Sequence, residues 1–317
     1  VEQALRMWET HDYRQPFKLG ENLEVTMRDA GHILGSAMFE VKVGDRKIVF
    51  TGDLGNSPSL LLSDTESITD ADYLIMESVY GDRNHDNRER SREELEDVIE
   101  ETMKAGGTLM VPVFSIERTQ EMIFEIKKMM EAGRIPPVPV FLDSPLAIKV
   151  TGIYEKYVGK LFDFSQLEKT LATEQSRAIA AAPRRKIVLA GSGMSNGGRI
   201  IHHEKRYLPD PASTLLLAGY QAAGSLGRQL EDGMKQVKIL GEEVSVRAKI
   251  VSVSGYSGHK GSDDLLEFVA HTSDTVKQVF VVMGEPKSSL YLVQKIRDYL
   301  GLMATAPNAG ERVELEL

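Results

Sequence analysis

Two stretches decide how this chain is read: Asp29-Ala-Gly-His32-Ile-Leu-Gly-Ser36-Ala37 and Thr51-Gly-Asp53-Leu-Gly-Asn56. Each sits at the end of a strand-like run, Leu23 to Met27 before the first and Lys47 to Phe50 before the second. Ala37 to Val43 follows the first, and Gly44-Asp45 joins it to the next run as a hairpin turn. Glycine lets the backbone turn tightly at a strand end, so loops of this kind project side chains into a shared space. A His and an Asp so presented suit a hard or borderline divalent metal such as Zn²⁺. A His in a Gly-rich turn serves equally as a capping or buried hydrogen-bonding group.

Two more strand ends carry candidate chemistry. Tyr73 to Met76 runs into Glu77, followed by Ser-Val-Tyr-Gly-Asp-Arg83. Read alone, Glu77 is a helix-capping or salt-bridging acid; it could also orient a protonated His or accept a proton. Gly255-Tyr-Ser257-Gly-His259 is a third Gly-rich loop after a strand, and its His could protonate a leaving oxygen.

The middle of the chain alternates strand and helix, which favours a largely parallel sheet. Thr108 to Val113 is a strand, Arg118 to Met130 a helix, Val138 to Leu142 a strand and Ile148 to Tyr157 a helix. Lys186 to Ala190 is a strand and Arg199 to Tyr207 a helix, with Gly191-Ser-Gly-Met-Ser195-Asn-Gly-Gly198 as the turn. Backbone N–H groups of Ser192, Gly193, Ser195 and Gly198 in such a turn can approach phosphate oxygens. As a dinucleotide fingerprint the turn is one residue too long, and it lacks the Lys of a P-loop. His202 and His203 point about 100° apart on the following helix, so at most one faces the turn; both are expected to be structural or phosphate-facing.

Composition sets the outer limits. The 317 residues are 42% hydrophobic and 27% charged, with no Cys, so metal can be held only by His and carboxylate. A chain of this length is expected to form two lobes. The net charge of -9 argues against a broad basic face for nucleic acid; a nucleic acid would have to be gripped locally. No apolar run nears the roughly 20 residues that cross a bilayer. A cytoplasmic location and no membrane partner are expected. Val1 to Thr10 reads as a helix, as if chain upstream had been removed.

These residues resemble the β-CASP group of metallo-β-lactamase-fold RNA nucleases. Asp29 to Ala37 and Thr51 to Gly55 resemble the third and fourth metallo-β-lactamase motifs. Glu77 in Met-Glu-Ser-Val-Tyr-Gly-Asp-Arg looks like the β-CASP acidic motif, and Ser257-Gly-His259 like the second β-CASP motif. Phe114-Ser-Ile-Glu-Arg118-Thr-Gln-Glu121, Leu142 to Ala147, Gly191 to His203 and Gly219 to Gly227 agree as well. The likeness is to bacterial and archaeal relatives of the nuclease subunit of the pre-mRNA cleavage and polyadenylation machinery.

The resemblance implies an α/β metallo-β-lactamase αββα core, partial here, with an inserted α/β β-CASP domain. The core would take residues 1–84 and 213–317 and the insert 85–212. It implies RNA phosphodiester hydrolysis with two Zn²⁺, Asp53 bridging both and His32 on one. His259, supported by Glu77, would protonate the leaving oxygen. The Gly191 turn would hold an RNA phosphate, with Arg118 and Arg199 as backbone contacts. Two departures stand out: the family's His-x-His-x-Asp-His motif is absent, and Met283 stands where a ligand His is expected. Thioether is a poor zinc ligand, so weak or partial occupancy and impaired hydrolysis are expected. The alternative is a non-catalytic RNA-binding or scaffold paralogue, acting as a homodimer or with an active partner. A nucleotide-binding protein using Asp210 and a small-molecule hydrolase are disfavoured.

Overall fold

The computed structural model describes residues 2–85 and 87–316, which divide into two units, 1–84 with 258–317 and 85–257. The first segment carries helix α1 (Glu2–Leu5) and strands β1 (Phe17–Gly20), β2 (Leu23–Asp29), β3 (Ala37–Val43), β4 (Arg46–Phe50) and β5 (Tyr73–Met76). The middle carries α2 (Arg88–Ala105), β6 (Thr108–Pro112), α3 (Arg118–Glu131), β7 (Val140–Asp143), α4 (Pro145–Val158) and β8 (Leu167–Lys169). It continues with α5 (Thr173–Ala178), β9 (Lys186–Ala190), α6 (Ile200–Tyr207), β10 (Thr214–Leu217) and α7 (Leu226–Glu231). The hairpin β11 (Gln236–Ile239) and β12 (Glu242–Ser245) and strand β13 (Lys249–Ser252) complete it. Last come α8 (Ser262–Ala270), β14 (Gln278–Val281), α9 (Pro286–Leu300) and β15 (Ala304–Thr305).

In the first unit the strands run β1-β2-β3-β4-β5-β14-β15, antiparallel from β1 to β4 and parallel beyond. Successive strand residues point to opposite faces, and the core follows that alternation. Val49, Leu74, Met76, Val279 and Val281 pack on one face with Leu265 and Phe268 of α8 and Leu292 and Ile296 of α9. Ile48, Tyr73 and Phe280 occupy the other. The hairpin expected at Gly44-Asp45 is present, with Val43 opposite Arg46. The helix expected over Val1 to Thr10 is limited to the short turn Glu2–Leu5 among the described residues; nothing on it is buried to hold it further.

The second unit is a parallel sheet in the order β13-β10-β6-β9-β7-β8. Its strands read as continuous apolar runs because both faces are covered; β6, β7, β9 and β10 are buried along their whole length. The second boundary differs from the expected one. Residues 213–257 belong to this unit, since β10 pairs with β6 and with β13. The core confirms the placement: Leu215 and Leu217 of β10 and the hairpin residues Val237, Ile239 and Val244 pack with Met110 and Val188.

The chain direction through this sheet creates a crevice. From β6 the path leads across β9 to β7, whereas from β9 it leads across β6 to β10. Two neighbouring strands thus send their connections opposite ways, and right-handed crossovers then put α3 and α6 on opposite faces. Such a switch point opens a gap beyond the carboxyl ends of the two strands. The loops around Phe114 and Gly193 lie there.

Candidate functional site

Within the first unit, His32 is presented by a tight loop. The β2–β3 pairing continues to Asp29 opposite Ala37, so residues 30–36 form a closed arch at the sheet end. Ser36 Oγ accepts from the His32 N–H at 3.1 Å and the Ile33 N–H at 3.2 Å. Gly31, at φ +64, takes a backbone that a side chain would strain. Asp53 stands on the loop after β4, tied to the first loop by Gly55 N–H donating to Ala30 O at 2.8 Å. A Cβ on Gly55 would collide with the Gly31 carbonyl. Thr65 Oγ1 clips both loops, donating within reach of Ala30 O (3.0 Å) and Gly55 O (3.2 Å).

Glu77 follows β5 and is fully buried. Its Oε1 accepts the Leu54 N–H at 2.5 Å, and its own N–H donates to Thr51 Oγ1 at 3.2 Å. Both bonds go to the Asp53 loop. His259 Nδ1 lies 3.1 and 3.2 Å from the two Glu77 oxygens. The His259 segment is held in turn by Asn56 N–H on Gly258 O (2.8 Å) and Lys260 N–H on Leu54 O (3.0 Å). The structure therefore brings His32, Asp53, Glu77 and His259 together, all inside the first unit.

Proton positions follow from the acceptors. His32 Nδ1 is 3.0 Å from Gly258 O; a carbonyl can only accept, so Nδ1 carries the proton and Nε2 keeps its lone pair. That lone pair is 3.9 Å from an Asp53 oxygen. Burial, then the neighbouring His259, lowers the His32 pKa, which favours the neutral ring a metal requires. His259 likewise donates from Nδ1 to Glu77, leaving Nε2 as its second donor atom. The two rings stand 4.6 Å apart between centroids.

This donor set fits a zinc ion. Among the described residues, one group of His and carboxylate side chains converges closely enough: ligand atoms of His32, Asp53 and His259 all lie within 4.8 Å of one another. Lone pairs of two imidazoles and a carboxylate facing one point repel unless a cation intervenes, and three protein ligands is the usual number at a catalytic zinc. The buried carboxylate behind His259 and the carbonyl behind His32 are the outer partners that fix ligand tautomers. Sequence reading places His32 and Asp53 on the metal and His259 in proton transfer; the geometry brings all three to one point. Met283 is exposed, at φ +63 just beyond β14.

In the second unit the Gly191–Gly198 turn joins β9 to α6. Ser192 N–H donates to Gly197 O at 3.2 Å, and Ser192 Oγ accepts the Asn196 N–H at 3.1 Å. Ser195 is buried, its hydroxyl donating to Glu204 at 2.5 Å. Burial pushes the Glu204 carboxyl up to about 7. A Cβ on Gly198 would strike the Gly191 carbonyl. Arg118 is buried and ion-paired with Glu121. Arg199 donates to Asp143 and to the Thr170 and Leu171 carbonyls, each at 2.8 Å. Both guanidiniums thus have internal partners. His203 Nε2 donates to Asp143 at 2.7 Å, a structural use; Asp143, at the end of β7, is the hub the sequence reading assigned no role.

Residues 119–230 match the Beta-Casp domain, and residues 243–307 match the Zn-dependent metallo-hydrolase RNA specificity domain. The chain is 37% identical over 307 residues to a ribonuclease of Thermus thermophilus, covering 92% of this chain and 69% of that protein. It belongs to the β-CASP group of metallo-β-lactamase-fold RNA nucleases. Another member of similar extent is an RNase J-like protein of Methanocaldococcus jannaschii, 31% identical over 98% of this chain and 75% of its own length. The transcription termination factor FttA of Pyrococcus abyssi is 29% identical over 99% of this chain, which spans only 52% of that protein. A protein of unknown function from Enterococcus faecalis shares the fold, with a TM-score of 0.50 at 12% identity, covering 96% of this chain and 67% of its own. The metallo-hydrolase match crosses residue 257 and so draws on both units of this β-CASP chain. No helix among the described residues is long and apolar enough to cross a membrane.

Proposed function

We propose that this chain serves zinc-dependent hydrolysis of RNA phosphodiester bonds. The observation that carries the reading is the buried Glu77–His259 pair beside the His32–Asp53 pair. His32 and Asp53 hold the metal, which when bound polarises a phosphoryl oxygen and acidifies water. Glu77 orients His259 through Nδ1 and stabilises its protonated form, so that Nε2 can pass a proton to the leaving oxygen. The Gly191–Gly198 turn offers the backbone N–H groups of Gly193 and Gly198 and the Ser192 hydroxyl to an RNA phosphate, while the Ser192 and Ser195 N–H groups close the turn on itself. Ser195 Oγ and Glu204 hold the shape of that turn, while Arg118 and Arg199 stiffen its surroundings. Met283 supplies no imidazole to a second ion, and His32 with Asp53 falls short of the usual three ligands, so we expect weak or partial zinc occupancy.

A second reading is favoured by one distance set: His259 Nε2 as a third ligand to the zinc, not the proton donor. Zinc content and cleavage of a 5′-labelled single-stranded RNA, measured on the same samples, separate the two. His32→Ala and Asp53→Ala should lose both zinc and cleavage. His259→Ala should keep zinc and lose cleavage if it is the acid, and lose both if it is a ligand. A zinc-loaded chain that binds RNA without cutting it would instead mark a non-catalytic RNA-binding member, alone or paired with an active copy. A chain that neither binds nor cuts RNA would overturn the proposal.

A further inference from the structure

At the switch point of the second unit, Phe114 follows β6 and Gly193 follows β9, and these two strands are hydrogen-bonded neighbours to their ends, Pro112 opposite Ala190. A Cβ placed on Gly193 would stand 2.6, 2.7 and 3.0 Å from Cδ2, Cε2 and Cγ of Phe114. Three adjacent ring atoms at nearly equal range mean that the glycine backbone lies against the flat of the ring, not its edge. Phe114 is nonetheless 46% exposed, so much of the residue stays uncovered. A buried-type residue is thus held as a half-open plate at the mouth of the crevice.

The plate is fixed, not loose. Thr119 Oγ1 donates to Phe114 O at 2.6 Å, and Gln120 Nε2 reaches Ser115 O at 3.3 Å. The loop turns through Glu117 at φ +61, a backbone that costs a side-chain-bearing residue energy. Beside the plate the surroundings are polar: Ser115 Oγ is 3.4 Å from Ser144 Oγ, and the Ser192 turn adjoins it. An aromatic plane beside hydroxyls and backbone N–H groups, with exposed Ile116 and Leu146 close by in the chain, matches the alternation of base and phosphate in unpaired RNA.

From this geometry we infer that Phe114 is the stacking platform for one base of single-stranded RNA, with Gly193 required so that the ring can lie flat. The inference rests on the RNA reading above and names how the strand is held. Stacking on an aromatic ring tolerates any base, since every base has a flat π-face, and removal of one such platform weakens binding about 5- to 150-fold.

The test uses the full chain in EDTA, so that binding is read without cleavage, and two fluorescein-labelled oligoribonucleotides of equal length. One carries bases throughout and the other is abasic in its central positions. Phe114→Leu should weaken the base-carrying strand about tenfold and leave the abasic strand unchanged, while Phe114→Trp holds both at wild-type affinity. Gly193→Ala, which drives a methyl group into the ring, should weaken the base-carrying strand at least as much as Phe114→Leu does. If Phe114→Leu weakens neither strand, or both equally, there is no base stacking there, although the RNA reading survives because the wild type still binds. If the wild type binds neither strand, in EDTA or with zinc restored, the RNA reading fails and this inference with it. A 2-aminopurine in the base-carrying strand adds a signature: its fluorescence should be quenched by wild type and Phe114→Trp but not by Phe114→Leu.

Discussion

Replacing Asp143 with Asn should cost the second unit more than any other single polar change. The carboxylate is fully buried at the end of β7 and accepts four side-chain bonds. Oδ1 takes Thr170 Oγ1 at 2.7 Å and Arg199 at 2.8 Å; Oδ2 takes Ser176 Oγ at 2.6 Å and His203 at 2.7 Å. Burial works to raise its pKa, but these donors outweigh it and hold the carboxyl at about 2, against an ordinary 3.8. At 1.36 kcal/mol per unit the depression corresponds to roughly 2.5 kcal/mol of stability at neutral pH. Because the folded pKa lies below the unfolded one, that contribution is complete above about pH 4 and drains away as pH falls toward 2. An Asn amide puts a donor against two donors and leaves the Arg199 charge uncompensated, for which about 3–5 kcal/mol is the usual loss. Urea unfolding followed by far-UV circular dichroism at pH 7 and pH 3 measures both quantities. Asp143→Asn should lower the stability by several kcal/mol at pH 7, and the gap to wild type should narrow at pH 3. A loss under about 1 kcal/mol at pH 7, or a gap that does not narrow in acid, would refute the hub assignment.

Glu117 gives the opposite sign. Burial pushes its carboxyl up to about 7, with Oε2 accepting the Tyr154 hydroxyl at 2.5 Å. Its ionisation therefore penalises the folded state increasingly from pH 4.5 to 7. Glu117→Gln, which keeps an acceptor for Tyr154, should stabilise the protein by roughly 2–3 kcal/mol at pH 8 and not at all near pH 4.5; a pH-independent difference would contradict the burial argument. Gly55→Ala touches no ligand yet drives a methyl into the Gly31 carbonyl, so it should weaken zinc binding at least about tenfold by competition titration. Wild-type zinc affinity in that variant would show that the two loops need not lock together.

The fold was legible where the chain repeats a short-range rule. Strand alternation and the Gly44-Asp45 hairpin each depend on a few neighbouring residues. The second domain boundary was not, because it depends on which strand β10 chooses. Thr214-Leu-Leu-Leu217 is equally suited to either sheet, and its placement beside β6 fixes residues 213–257 in the second unit. Nothing local to those four residues encodes that register.

The same distinction runs through the candidate site. Residues at strand ends in Gly-rich loops could be picked out, since strand ends are where a sheet presents side chains, and His32, Asp53, Glu77 and His259 do meet. What each does there depends on partners far away in sequence: Glu77 and His259 are 182 positions apart, and His32 takes its tautomer from the carbonyl of Gly258. Charged residues were the least readable for this reason. Arg118 and Arg199 carry the charge an RNA phosphate would attract, but Glu121 and Asp143 claim them inside the unit. With net charge -9 and these cations engaged, a phosphate would meet mainly backbone N–H groups and hydroxyls in the second unit. The exposed Phe114 then offers affinity that carries no charge. Salt should accordingly weaken RNA binding less steeply than a protein using several Arg–phosphate contacts would show. A slope near that of a basic nucleic-acid binder would mean that these arginines leave their carboxylates when RNA arrives.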